Sequence, residues 1–191
     1  MQTRKHIVIA ASLLTLALAA CSRPAPEAPA APAAEAPAAT APAADAVEAQ
    51  EQANLANFDD LDYNVFSSQK WDEFSKSHAA DIVVHWPDGR TTTGLEPHIA
   101  DLKAMFVYAP DTRIKEHPIK IAQGNYTAVV GVMEGTFSAP MPTPDGKTIA
   151  PTKKPFKLDM VTIGRWENGV MREEWLFWDN QAFMKQIGLG Q

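Results

Sequence analysis

The chain holds a single cysteine, Cys21. It can close no internal disulfide, and chemistry that needs two thiols is excluded. Metal motifs are also missing: the five histidines show neither HExxH nor His-x-His spacing, so a metal site would need an unusual assembly. There is no Gly-x-Ser-x-Gly elbow, Walker loop or dinucleotide fingerprint. Basic residues are in deficit, 17 Lys and Arg against 23 Asp and Glu for a net charge of −6. That balance argues against nucleic acid as a partner and against electrostatic docking on anionic lipid. The longest apolar run, Ile7 to Ala20, is short for a membrane span.

What is present at the N-terminus reads as export and anchoring rather than fold. Arg4 and Lys5 precede the apolar run, as in a signal peptide over residues 1–20. The run ends in Leu18-Ala19-Ala20-Cys21, which resembles a bacterial lipobox with Cys21 as the lipid-accepting first mature residue. Lipidation there would anchor the protein to a membrane and account for a lone thiol. Ser22 follows, where Asp would resemble an inner-membrane retention signal, so the expected address is the cell envelope, on the periplasmic face of the outer membrane. Residues 21–52 are expected to be a tether of Ala and Pro. Six prolines at 24, 26, 29, 32, 37 and 42 deny a continuous helix there, and almost nothing apolar is available to bury.

Residues 53–191 have globular composition and length for one domain. Leu55, Phe58, Leu61, Val65 and Phe66 recur at helical spacing, and Trp71 with Phe74 suggests a further helical turn. Asp81 to Trp86 is a β-branched strand stopped by Pro87-Asp88-Gly89. A short strand at Thr91–Thr93 leads to Gly94 and a helix with Pro97 in its first turn and Ile99, Leu102, Met105 and Phe106 on its buried face. Strands are expected over Thr112–Gln123, Tyr126–Phe137, Phe156–Trp166 and Gly169–Trp178. Gly124-Asn125 and Asn168-Gly169 serve as turns, and a last helix spans Asn180–Ile187. The proline-rich segment Ser138–Pro155 is long for a hairpin connection and reads equally as a lid or a hairpin arm. The order predicts an α+β fold: a curved antiparallel sheet packed with three to four helices.

In order and spacing these elements resemble the SnoaL-like (ester cyclase, polyketide cyclase-like) branch of the cone-shaped, cystatin-like, nuclear-transport-factor-2-like fold. The resemblance rests on Ala80–Gly89, Gly94-Leu95-Glu96, Gly131–Phe137 and Ala150–Lys153. The strongest segments are Gly169–Asp179 and Phe183–Gly188, and the likeness spans residues 54–190. It implies a deep, largely apolar pocket. It also implies acid/base chemistry by an acidic side chain on a hydrophobic carbonyl compound, with no metal and no cofactor. Dimers are common in that fold, which makes a homodimer a partner to consider. Relatives of the same fold include dehydratases, isomerases, epoxide hydrolases and plain binding modules, so a non-catalytic module that binds a hydrophobic small molecule is the alternative.

A base that abstracts a proton beside a carbonyl needs its pKa lifted toward neutrality, which an apolar pocket supplies by desolvation. The last strand offers Glu173, Glu174 and Asp179. Side chains alternate along a strand, so one of the two glutamates points out, and the sequence leaves open which. Asp179 matches the acid closing the family's final strand, yet it also precedes a helix it could cap. Leu176 stands where some cyclases carry an acid. His85, mid-strand, is a candidate acid/base partner or a core histidine. His98, in a helix's first turn, reads as solvated, and His117, before Pro118, as a bulge residue. Trp86, Met105, Tyr126, Trp175 and Phe177 are the expected ligand-lining side chains.

Overall fold

The computed structural model describes residues 43–190. The export segment, Cys21 and the tether up to residue 42 lie outside the described residues. Helix α1 runs from Ala44 to Asp60, so the final stretch assigned to the tether is helical. Pro42 is the last proline before Pro87, and alanines at 44, 46, 49, 53 and 56 carry the best helix propensity of any residue. The helix starts where proline stops forbidding it. Asn54, Leu55 and Phe58 are its buried residues. Where one helix through Phe66 was expected, α1 passes into a π-helical turn, Leu61–Phe66, that buries Leu61, Asp62, Val65 and Phe66. A 3-10 turn over Trp71–Lys76 follows and buries Phe74.

Strands β1 (His78–His85) and β2 (Thr91–Thr93) form a hairpin, and α2 spans Leu95–Tyr108. Next come β3 (Arg113–Ile114), β4 (Ile119–Gln123) and β5 (Tyr126–Thr136). The small pair β6 (Met141–Pro142) and β7 (Thr148–Ile149) precedes β8 (Pro155–Glu167), β9 (Val170–Phe177) and α3 (Asn180–Gln186). Across the sheet the order is β2-β1-β9-β8-β5-β3, with β4 also on β5. The β1–β9 pair is parallel, so the sheet is mixed rather than wholly antiparallel. The crossover through α2 and the meander brings the chain back beside β1 in β1's own direction. The expected strand Thr112–Gln123 is split into β3 and β4, both on β5, with Pro118 in the gap where it has no N–H to give a ladder.

The helical elements cover one face of the curved sheet: α1 packs on β4 and β5, α2 on β1 and α3 on β8. The core between them includes Phe58, Phe74, Ile82, Phe137, Trp166 and Ile187, none more than 2% exposed. The Ser138–Pro155 segment is a hairpin arm. Its root is tied by Phe137 N to Lys154 O and Lys153 N to Phe137 O, both 3.0 Å, and Ser138 and Ala139 donate to Tyr108 O at the end of α2.

Across β5 and β8, Gly135 faces Phe156 in register. A Cβ at Gly135 would sit 2.8 Å from Phe156 Cζ and 3.1 Å from Thr112 Oγ1, and Phe156 in turn meets Phe183 of α3 edge-on at 5.0 Å. The ring lies over the glycine because nothing else fits. Gly135→Ala should cost about 1–3 kcal/mol in urea unfolding. A variant as stable as the parent would show that the Phe156 ring is free to move.

Candidate active site

Strand β9 decides which carboxyl enters the interior. Its pairing with β8 steps from Trp166↔Met171 to Arg165↔Glu173, leaving Arg172 as an extra, unpaired residue. Such a bulge breaks simple alternation. Met171 points inward, Arg172 and Glu173 do not, and Glu174 and Leu176 point inward again. Glu174 is 4% exposed.

Two imidazoles meet it. His78 comes from the start of β1 and His98 from the first turn of α2, each 2% exposed. His98 Nε2 lies 3.4 Å and His78 Nε2 3.9 Å from Glu174 Oε2. Phe74 O accepts from Ser77 Oγ at 3.2 Å and from His78 Nδ1 at 3.3 Å. A carbonyl can only accept, so the His78 proton sits on Nδ1 and Nε2 turns a lone pair toward Glu174. Among the described residues Glu174 Oε2, His78 Nε2 and His98 Nδ1 have no protein hydrogen-bond partner.

Burial sets the protonation of all three groups. Desolvation, with a smaller push from Asp62, raises the Glu174 carboxyl to about 8. Desolvation lowers His78 to about 4, against the Phe74 hydrogen bond that raises it. His98 is held well below its ordinary value by burial and by His78 beside it. Near neutrality the cluster is a protonated carboxyl facing two uncharged imidazoles.

Apart from Asp62 and Thr162, the rest of the wall is apolar. Leu61, Phe66, Leu102, Met133, Met160 and Leu176 line the cavity with Trp86, Met105 and Trp178. The cavity volume is about 40 Å³, room for a few water-sized guests. That is narrower than the deep pocket the family resemblance implies, and the reason is at the mouth. Trp86, Met105 and Trp178 also border a surface depression of about 240 Å³ that holds Asp88, Arg90 and Asp101, and the two indoles close edge to face at 6.5 Å.

A second carboxyl, Asp62 from the π-helical turn, reaches the same cavity but is partnered. His117 Nε2 lies 2.9 Å from its Oδ2, His117 Nδ1 lies 2.7 Å from Asp59 Oδ1, and Lys120 Nζ closes the line at 2.6 Å from Asp59 Oδ2. Burial raises Asp62 against the opposing pull of His117. His117 itself is raised, because its two carboxylate partners outweigh the loss of solvent.

The structure brings together Glu174, Trp86 and Met105 of the residues expected from sequence. It corrects the others. His85 and Glu173 lie on the opposite face of the sheet, 2.9 Å apart, with Arg165 Nε 3.2 Å from the same carboxylate. His85 stacks on Trp175 at 5.2 Å, so Trp175 is also outside the cavity. Phe177 and Tyr126 are 49% and 44% exposed. Asp179 caps α3, accepting from Gln181 N at 2.8 Å and Ala182 N at 2.9 Å, which satisfies donors a helix start leaves free. His98, read as solvated, is buried, and His117, read as a bulge residue, is held between two carboxylates. Asp62 and His98 carried a readable signal: Asp62 falls on the stripe Phe58–Asp62–Phe66 and His98 on His98–Leu102–Phe106, each at four-residue steps. His78 had none, since its neighbours Ser77, Ala79 and Ala80 show no pattern.

The sequence profile of the family described as SnoaL-like polyketide cyclase matches residues 58–187. No curated protein sequence gives a significant match. Among solved structures, wild-type IdmH of Streptomyces antibioticus, a proposed polyketide cyclase, superposes with TM-score 0.61 at 22% identity over 71% of this chain and 98% of that one. A SnoaL-like polyketide cyclase from Agrobacterium tumefaciens gives 0.53 at 19% identity, covering 73% and 98%. A Catenulispora acidiphila protein with a ketosteroid isomerase-like fold, solved with trimethylamine, gives 0.55 at 15% identity, covering 71% and 92%. At these identities the likeness is one of fold.

The buried cluster fixes how stability should respond to pH. Between its ordinary 4.5 and about 8, Glu174 keeps in the folded chain a proton the unfolded chain has lost, so stability falls as pH rises. His78 acts in the opposite sense between about 4 and 6.5, where the unfolded chain takes up the proton. Above 6.5 the raised groups act alone. The metal-free protein should lose stability from pH 6.5 to 8, with a Glu174 share on the order of 2 kcal/mol. Glu174→Gln should remove that share in thermal melts, leaving a smaller fall from His117. An identical slope in the variant would mean that Glu174 is already ionised in the fold.

Proposed function

The chain belongs to the SnoaL-like polyketide cyclase family, and on that premise we propose that its domain is an acid/base catalyst of the cyclase or isomerase type acting on a hydrophobic carbonyl compound. The observation that carries this reading is Glu174: a carboxyl in an apolar cavity with one oxygen free of protein partners, facing two imidazoles. A carboxyl raised to about 8 can hold or release a proton near neutral pH, which suits it to remove one beside a carbonyl and return it elsewhere. In that step the ionised fraction of Glu174, a minority below about pH 8, takes the proton while the C–H electron pair passes into the enolate. Neutral His98, its Nε2 3.4 Å from Oε2, stands where it can orient the carboxyl, while burial disfavours a second proton on either imidazole. No residue in this scheme calls for a cofactor. The apolar wall supports a hydrophobic substrate. A non-catalytic module binding a hydrophobic small molecule is the second reading, favoured by the narrowness of the cavity.

Proton abstraction can be followed without the natural substrate. Chelator-treated protein in D₂O should speed exchange of the central hydrogens of acetylacetone, read by proton NMR. Glu174→Gln should reduce the catalysed rate by about 10²-fold or more, while Glu173→Gln and Asp179→Asn keep it. Exchange that survives Glu174→Gln would remove Glu174 from the reaction, and a parent protein without exchange would leave the binding reading.

The charged and apolar N-terminal run, the Leu18–Cys21 motif and the Ala/Pro tether support placing this domain at the periplasmic face of the outer membrane, anchored by lipid on Cys21. In a bacterial host, an alkyne fatty acid should label the parent and not Cys21→Ser. Equal labelling of both would overturn the anchor.

A further inference from the structure

We propose that His78, His98 and Glu174 form a binding site for a divalent transition-metal ion of the zinc class, with two imidazole nitrogens and one carboxylate oxygen as ligands. The three residues come from β1, α2 and β9, and one ligand atom from each lies within 4.8 Å of the other two. Metal–ligand bonds of about 2.0–2.2 Å in a tetrahedral set place neighbouring ligand atoms roughly 3.4 Å apart. The 3.4 Å between His98 Nε2 and Glu174 Oε2 already has that spacing and the 3.9 Å from His78 Nε2 needs a contraction of tenths of an ångström, while the two imidazole nitrogens, within 4.8 Å of each other, must close by up to about 1.4 Å.

The chemistry of the free atoms points the same way. His78 Nε2 and Glu174 Oε2 are buried, aimed at one another and without protein partners. Both present lone pairs, because Phe74 O and Ser77 Oγ hold the His78 proton on Nδ1. Fixing the far nitrogen in this way is how a second hydrogen bond orients an imidazole toward a metal. A pair of lone pairs facing each other in an apolar cavity needs a positive centre between them, either a proton or a cation. His98 supplies the third donor from Nε2. The interior of about 40 Å³ accommodates an ion with a water ligand more readily than an organic guest. Two nitrogens and one oxygen suit zinc and its first-row neighbours rather than calcium or magnesium, which favour oxygen alone.

The site does not rest on the acid/base reading. A bound cation would take the carboxylate which that reading uses for protons, so the two are alternative occupants of one cluster. For this reason the exchange assay uses chelator-treated protein, and either idea can fail without the other. The test is equilibrium dialysis of the chelator-treated full chain against Zn²⁺ with elemental analysis, together with Co²⁺ titration followed by visible absorption. One equivalent of Zn²⁺ per chain is expected, as is a Co²⁺ spectrum of a low-coordinate nitrogen–oxygen site. Glu174→Gln and His98→Gln, checked for folding by circular dichroism, should weaken binding at least about 100-fold, the upper range of changes that merely touch a ligand's supports. His85→Gln, on the far side of the sheet, should leave it unchanged. Substoichiometric zinc in the parent, or unchanged affinity in both folded cluster variants, would assign any bound metal to other histidines and overturn the proposal. If both cluster variants fail to fold, the parent's Co²⁺ spectrum decides: octahedral, oxygen-type absorption overturns it.

Discussion

Keeping an ionisable carboxyl dry is the constraint around which this interior is organised. An isolated carboxylate in an apolar cavity is too costly to maintain, so the group takes a proton instead. Glu174 does so against two imidazoles that burial has stripped of charge. The result is a three-residue cluster without net charge near pH 7 that holds one acidic proton. Leu102, Met160, Leu176 and Phe74 surround the cluster in place of the bulk solvent in which the carboxyl would ionise at its ordinary value. The same wall that stabilises the fold by burying apolar area thereby poises the carboxyl.

Three local departures from regular structure position the polar groups. The bulge at Arg172 turns Glu174 inward and Glu173 outward. The register shift between His78 and Val83 lets β1 open with a buried histidine before its regular alternation begins. The π-helical turn sets Asp62 beside Leu61 on the buried side, and π-helical turns recur at functional sites. Regular elements supply the walls, while irregular ones supply the chemistry.

That division explains what the sequence could reveal. Element order, the hairpin turns and the apolar side of α2 were legible because hydrophobic periodicity and turn residues report them directly. The choice between Glu173 and Glu174 was not, since a bulge shifts the alternation by one and leaves no mark in residue types. The misplaced aromatics have a related cause. The outer face of the sheet is also apolar, with Ile121, Ala128, Ile163 and Trp175 in one cross-strand row and Ile119, Val130, Val161 and Phe177 in the next. When both faces of a strand are apolar, alternation carries no information about which side is interior. His85 followed Trp175 to the outside for that reason, and β4's Ile119 and Ile121 stay 53% and 60% exposed.

Of the two carboxyls that line the cavity, only one is free to act. Burial raises Asp62 as it raises Glu174, but Asp62 is hydrogen-bonded to a histidine whose pKa is raised and which is itself braced by Asp59 and Lys120, so it has a partner able to carry positive charge. Glu174 faces imidazoles whose pKa values are lowered, so nothing in the protein balances its charge. The two environments assign different roles to chemically similar groups: one is a fixed member of an ion network, the other a site that must recruit a positive partner. Whatever supplies that partner, a substrate proton or a cation, is drawn to Glu174 because Asp62 already has its own.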